Sequence, residues 1–437
     1  MQTSHLAALL LTTRPAADNH QGVTLQREGR QQEAADCFRR ALAVRPDYAD
    51  ALNNLALAWQ AMGQLDRALS LFERALAVTA APQLPALLNN LGLALHQSGR
   101  PQEAAICFRD CLALAPGHLD ANHNLAIALL QSGQYRQGWE HFEQRQRRPG
   151  ESLTEHRRFS RPQWTGEPAL GRTLLLWGEQ GYGDQIQFVR YVPLAVQRGW
   201  HVVLEVPGPL TGLFAGLQDV TLVARGAPLP RFDLHCPLLS LPRAFATELA
   251  SIPAEIPYLS AEPARVEAWR RRLPAGGFRV GIAWQGNPAA RAERGRSAPL
   301  ACFAPLAACP GVTLISLQKY DGLEQLEALP PGMAVTTLGE DFDAGPHALL
   351  DSAAVMMSLD LVISVDSVIG HLAGALGRPV WLALQAVPHW VWLTGRADSP
   401  WYPNARLFRQ DRPGNWPELF ARMAVALRAT LAGRHLS

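Results

Sequence analysis

Lysine is almost missing from this 437-residue chain. Of 40 basic residues, only Lys319 is a lysine. A G-x-x-x-x-G-K-[ST] phosphate loop is therefore excluded, and any Schiff base would have to form at Lys319. Cysteine is scarce, at six, too few to staple a chain of this length. Cys107 and Cys111 lie one helical turn apart beside Phe108, with no C-x-x-C pair, so core packing is the expectation rather than zinc. The longest N-terminal apolar run, Leu6 to Leu11, is too short for a membrane span, and no basic segment precedes it. Charged residues amount to 18%, below the roughly 25% of an average globular protein. With a net charge of +2, nothing calls for nucleic acid or an acidic membrane as partner. The expectation is a soluble cytoplasmic protein of two or three domains.

What is present begins with a repeat. Gly29, Gly63, Gly99 and Gly133 each follow one helical run and precede another. Five residues past the first three stand Ala34, Ala68 and Ala104, and nine past all four stand Phe38, Phe72, Phe108 and Phe142. A period near 34 residues, with small residues where helices touch and an aromatic filling the groove, is the tetratricopeptide pattern. The middle spacing is two residues longer, which the Pro82–Pro85 stretch accommodates. About four such repeats, over residues 1–148, bury their apolar faces by stacking into a superhelix. Asn54, Asn90 and Asn124 recur at one position of successive first helices. Amides at repeat spacing suit the backbone of an extended peptide, or else they bond neighbouring helices.

Past the basic stretch Arg145–Gly150 the period changes. T-L-L-L-W at Thr173–Trp177 is a strand, G-E-Q-G-Y-G-D a turn, Gln185–Arg198 a helix broken at Pro193, and His201–Val206 a second strand. A second set of buried strands follows: Arg279–Trp284, Val312–Gln318, Leu359–Asp366 and Val380–Leu384, with a last helix from about Trp416 to Leu431. The expected fold is thus a tetratricopeptide superhelix followed by two Rossmann-like α/β lobes, at residues 149–260 and 261–437. Ligands of such lobes sit beyond the carboxyl ends of the strands.

Three constellations lie at such ends. Gly183 and Asp184 close the Gly-rich turn; the loop lacks the third glycine of a dinucleotide fingerprint, because Ile186 stands there. Asp184 suits either a helix cap or a general base taking a proton from an acceptor hydroxyl. At Asp366, Ser367, Val368, Ile369, Gly370 and His371 a strand runs into a helix. Free N–H groups of Val368 to Gly370 would receive a diphosphate, Gly370 would admit it, and His371 would add a hydrogen bond. The third is Trp284, Gly286 and Asn287 followed by Arg291, Arg294, Arg296 and Ser297, where arginines could clamp phosphate oxygens. Lys319 points to the same rim, and Gln318 beside it could contact a base or ribose. Asp341-Phe342-Asp343 has the form of a metal-binding D-x-D, yet a two-lobed architecture usually dispenses with metal, so no metal and no cofactor are expected. Peptidase and esterase signatures are absent.

These residues also carry a resemblance. W-x-G-E-P-x-L-G-R-T-L-L-L at Trp164–Leu176, E-Q-G-Y-G-D at Glu179–Asp184, C-P-L-L-S-L-P at Cys236–Pro242, R-S-A-P-L at Arg296–Leu300 and S-L-Q-K at Ser316–Lys319 come first. V-D-S-V-I-G-H-L-A-G-A-L-G-R-P-V-W at Val365–Trp381 and S-P-W-Y-P-N-A-R-L-F-R-Q at Ser399–Gln410 follow. Together they resemble the heptosyltransferase-type (glycosyltransferase family 9-like, GT-B) domain of bacterial tetratricopeptide-repeat glycosyltransferases. The repeats resemble those of protein O-GlcNAc transferases, where an asparagine ladder grips the acceptor. The resemblance implies that Asp184 is the base and that Asp366, Ser367, Gly370, His371 and Leu372 hold the donor diphosphate. Two departures stand out: Gly370 precedes His371 where alanine is usual, and the usual P-D-W-R-W segment reads Pro388-His389-Trp390-Val391-Trp392. The expected activity is metal-independent transfer of a sugar from a nucleotide sugar to a hydroxyl, on a protein such as flagellin held by the repeats. The rivals are an adaptor that has lost catalysis and a transferase acting on a lipid-linked or free saccharide.

Overall fold

The computed structural model describes residues 2–147, 159–289 and 295–434. Two compact units divide the chain, residues 1–148 and 149–437.

The first unit is all helical. Its helices are α1 (Gln2–Arg27), α2 (Gln31–Val44), α3 (Ala49–Ala61), α4 (Leu65–Val78), α5 (Leu84–Gln97), α6 (Pro101–Leu114), α7 (Leu119–Gln131) and α8 (Tyr135–Phe142). They pair as four antiparallel hairpins, and the repeat glycines explain the pairing. Gly29, Gly63, Gly99 and Gly133 take φ between +75° and +79°, a left-handed conformation that ends the first helix of each pair. The residue after each glycine bonds back to the helix, as Arg30 N–H does to the Leu25 carbonyl at 2.9 Å. Ala34, Ala68, Ala104, Phe38, Phe72 and Phe108 have no exposed surface. A β-carbon on Gly92 would fall 2.5 Å from the Phe108 ring, so this aromatic packs directly on helix backbone. The longer middle spacing holds a 3₁₀ turn at Ala81–Gln83.

The second unit carries two parallel sheets. The first lobe runs β1 (Thr173–Trp177), α9 (Tyr182–Phe188), α10 (Val192–Gln197), β2 (His201–Val206), α11 (Gly208–Phe214), β3 (Val220–Ala224), β4 (Leu234–Pro237) and α12 (Leu241–Ala244). The second runs α13 (Pro263–Arg272), β5 (Phe278–Ala283), α14 (Ala304–Ala307), β6 (Val312–Ser316), β7 (Val335–Thr336), α15 (Leu350–Met356), β8 (Leu361–Val365), α16 (Val368–Ala375), β9 (Val380–Leu384), β10 (Ala405–Arg409) and α17 (Trp416–Arg434). The strand orders are β3-β2-β1-β4 and β10-β9-β8-β5-β6-β7, with every pairing parallel. The order reverses between β1 and β4 in one sheet and between β5 and β8 in the other. Crevices at these switch points are where doubly wound sheets bind ligands. The stretch Gln185–Arg198 is two short helices, α9 and α10, joined by a 3₁₀ turn at Val189–Tyr191, and Pro193 starts the second. Among the described residues, no helix is long and apolar enough to cross a membrane.

Candidate active site

Strand β1 ends at Trp177, and the chain turns through Gln180 (φ +57°) into α9. Gly181 is the N-cap, with Asp184 at the third helical position. The Asp184 carboxylate accepts the Gly181 N–H at 3.1 Å, so it closes the first turn from inside the helix rather than at the cap itself. The residue keeps some contact with solvent, yet its surroundings are crowded enough that burial pushes the carboxyl above the ordinary aspartate range. His389 and the Gly181 N–H oppose that shift, Asp366 adds to it, and Arg296 opposes it. His389, Asp366 and Arg296, the side chains named here as acting on Asp184, all belong to the second lobe.

Across from it, β8 ends at Val365, and the chain passes through Asp366 and Ser367 into α16. Ser367 caps the helix, its hydroxyl accepting the Ile369 N–H at 3.3 Å and bonding the Ser364 hydroxyl at 2.8 Å. The Gly370 N–H goes to the Ser367 carbonyl at 3.1 Å. Of the three amides expected to be free, two are therefore bonded locally, and Val368 N–H is the one without a protein acceptor among the described residues. Gly370 also has a different task from the one expected. A β-carbon there would lie 2.6 Å from Leu382 of β9, so the glycine lets α16 settle on the sheet rather than admitting phosphate. Leu372 is fully buried and cannot touch a ligand.

His371 is buried. Its Nδ1 lies 2.9 Å from the Tyr402 hydroxyl, and its Nε2 lies 4.0 Å from Asp366 Oδ1. The Nδ1 partner is thus a tyrosine hydroxyl rather than backbone. Trp392 packs against the imidazole, tilted by 31° with centroids 5.2 Å apart. Burial pulls the His371 pKa down to about 4, with Asp366 opposing and His389, Arg190 and Arg296 helping. The ring is neutral near pH 7.

The two lobes meet at this point. A β-carbon on Gly183 would lie 3.0 Å from His371 Cδ2. Beside this contact, Arg190 follows α9 in the first lobe and reaches into the second. It donates to the Trp401 carbonyl at 2.5 Å, the Pro253 carbonyl at 3.3 Å and the Tyr258 hydroxyl at 2.8 Å. Its guanidinium also lies over the rings of Tyr258 and Tyr402, at 4.5 and 4.6 Å. Neither Arg190 nor Tyr402 was legible as a site residue in the sequence. Tyr402 stands inside the S-P-W-Y-P motif, which was the only available signal.

The loop after β5 holds the remaining candidates. Trp284 has no exposed surface, and its indole N–H donates to the Gly322 carbonyl at 3.1 Å. Gln318 accepts the N–H groups of Trp284 and Gln285 and donates to the carbonyls of Gln285 and Asp321. Its amide is used up by backbone. Gln318 therefore builds the loop instead of contacting a base or ribose, and Trp284, expected at the donor site, is buried beneath that loop. Ser297 accepts the Gly286 N–H at 3.0 Å, and exposed Asn287 caps the Ala289 N–H at 2.9 Å. Arg296 is close enough for its charge to act on both Asp184 and His371. Arg291 and Arg294 lie outside the described residues. Lys319 donates to the Glu340 carbonyl at 3.1 Å on the rim.

The D-x-D triplet is structural. Asp341 pairs through both oxygens with Arg272, at 2.6 and 2.8 Å. Asp343 accepts the Asp351 N–H at 2.8 Å and the Ser352 hydroxyl at 2.6 Å, which holds the start of α15. In the helical unit, Asn54, Asn90 and Asn124 donate to Asn19, Asn53 and Asn89 of the preceding repeat, at 3.1, 3.0 and 2.9 Å. The ladder joins helices, as the plainer of its two readings had it. That uses one amide hydrogen of each of the three residues.

Residues 310–388 match the family model of glycosyltransferase family 9 (heptosyltransferase). Residues 25–63 and 47–117 match tetratricopeptide-repeat models. The chain is 28% identical to Protein FlbA of Caulobacter vibrioides over 459 aligned residues, 90% of this chain and 75% of that protein. A peroxisomal targeting signal receptor of Candida glabrata is 33% identical over 88 residues, 20% of this chain and 15% of that one. Among solved structures, MamA is similar with a TM-score of 0.29 and 18% identity, over 30% of this chain and 75% of that one.

Proposed function

We propose, for a chain that joins tetratricopeptide repeats to a glycosyltransferase family 9 region, that it moves a sugar from a nucleotide sugar to a hydroxyl on a protein recruited by the repeats. The observation carrying this reading is one juxtaposition. The first turn of α9, which carries Gly183 and Asp184, lies against His371 in the first turn of α16, with Asp366 beside that ring, and Asp184 feels the charge of Asp366, His389 and Arg296 from the second lobe. Asp184 takes the acceptor proton as the acceptor oxygen bonds the anomeric carbon and the bond to the diphosphate breaks. Charge then collects on the leaving diphosphate. The Val368 N–H at the positive end of α16, the neutral His371 ring and Arg296 offset it. The resemblance noted above extends the acceptor to a protein such as flagellin, and it rests on analogy rather than on site chemistry.

Ligand binding tests the reading first. A thermal-shift panel of nucleotides and nucleotide sugars should contain at least one that stabilises the chain. A ligand at 100 times its Kd contributes about 2.7 kcal/mol. If no member of the panel shifts the transition and none is turned over, the adaptor reading takes its place. Turnover on free saccharides by residues 149–437 alone would favour a small-molecule transferase.

A further inference from the structure

We infer that Tyr402 is a positioning residue: its hydroxyl donates to His371 Nδ1 and so presents the opposite ring nitrogen, as an N–H, to Asp366 and the interlobe site. The inference rests on the transferase reading above and extends it to a residue that contacts no reacting atom.

The argument begins with hydrogen counting. A neutral imidazole has one N–H and one bare nitrogen. His371 is buried among Tyr402, Trp392 and Gly183, and it is neutral near pH 7. Two arrangements are open. In one, Nδ1 carries the hydrogen and donates to Tyr402, which aims the bare lone pair of Nε2 at the Asp366 carboxylate 4.0 Å away. In the other, Tyr402 donates to bare Nδ1, and the Nε2–H points at that carboxylate. The first sets a lone pair against an anion inside a crowded site. The second sets a bond dipole along the field of the anion, and electrostatics selects it. Burial holds the Tyr402 pKa well above its usual value, so its hydroxyl keeps the proton that it donates.

The packing shows that the tyrosine is itself held. A β-carbon on Gly374 would lie 2.3 Å from the Tyr402 ring, so only glycine at that turn of α16 leaves room for it. Arg190 covers the ring at 4.6 Å and grips the Trp401 carbonyl next in sequence. The first lobe thus fixes Tyr402, Tyr402 fixes His371, and His371 offers one donor where the leaving diphosphate gathers charge.

The experiment uses the full chain in two ways. On the ligand-free wild type, ¹⁵N-histidine labelling gives the tautomer of His371, with His371→Gln to identify its signals. The expected state at pH 7 is Nε2–H, and an Nδ1–H state overturns the inference with no variant needed. The second part is a double-mutant cycle on nucleotide-sugar turnover. Tyr402→Phe keeps the ring that fills the space over Gly374 and should lower kcat roughly tenfold, with the donor KM changed less than about threefold, the scale of one neutral hydrogen bond. In a His371→Gln background the same change should add less than about twofold, because the tyrosine acts through the histidine. Fully additive effects would mean that Tyr402 serves packing alone, and the inference would be lost. If His371 shows the Nε2–H state but no nucleotide sugar is bound or turned over, the hydrogen-bond assignment stands and the transferase reading falls.

Discussion

Gly183 rests directly against the imidazole of His371, with only 3.0 Å left for any β-carbon to reach that ring. The contact joins the first turn of α9 to the first turn of α16, and it sets how near Asp184 comes to the second lobe. His371 cannot give way easily, because Tyr402 holds its Nδ1 and Trp392 covers its face. Gly183→Ala should therefore lower turnover by tenfold or more, even though alanine favours a helix by about 1 kcal/mol over glycine. Circular dichroism should show the fold retained. A variant of unchanged activity would mean that the lobes separate without cost.

The pH profile of turnover tests Asp184. Burial raises its pKa, and a base acts only when deprotonated, so kcat/KM should rise with pH through an inflection above the ordinary aspartate range. His389, Arg296 and the Gly181 N–H hold that value down, while Asp366 lifts it. His389→Ala removes one of these restraints. The acid limb should then move to higher pH, with the plateau at high pH less affected. A limb that stays in place would remove His389 from the vicinity of Asp184.

His371 makes stability depend on pH in a defined window. Its folded pKa of about 4 lies below the 6.5 of an unfolded histidine, so the native state binds its proton more weakly. The associated stability is complete above pH 6.5 and is lost as pH falls from 6.5 towards 4, by up to about 3 kcal/mol. Urea unfolding at pH 7 and pH 5 should show a smaller acid loss for His371→Gln than for the wild type.

In the helical unit, Asn124 donates to Asn89, which is almost fully buried. Asn124→Ala should leave that acceptor unpaired and cost about 1–2 kcal/mol in the unfolding of the repeats. If the ladder also binds an acceptor peptide, the same change should weaken capture of that peptide in a pull-down at temperatures where the repeats remain folded.

The repeat was legible because its signals are local. A glycine that must take positive φ and an aromatic that must pack on backbone recur at a fixed period, as Gly63 and Phe72 show. The central strands were legible as unbroken apolar runs. Strands β3, β4, β7 and β10 were not. The first is half-exposed along its length, β4 has four residues, and β7 has two. The site was legible in part. Asp184, Asp366 and His371 lie in the first turns that follow strand ends, and topology brings those turns together. Misread roles came from contacts distant in sequence: Leu382 explains Gly370, and the carbonyls of Gln285 and Asp321 occupy Gln318. Arg190 and Tyr402 are 212 positions apart in sequence, and no spacing rule could have paired them.

The most direct test compares the wild type with Asp184→Asn across a panel of nucleotide sugars, with thermal shift and transfer to protein measured on the same samples. The expected result is at least one donor that stabilises both proteins equally and is turned over by the wild type, with a loss of about 10² to 10⁴ in the variant. Equal turnover by both proteins would contradict the account, since the Asp184 carboxylate would then have no part in the reaction.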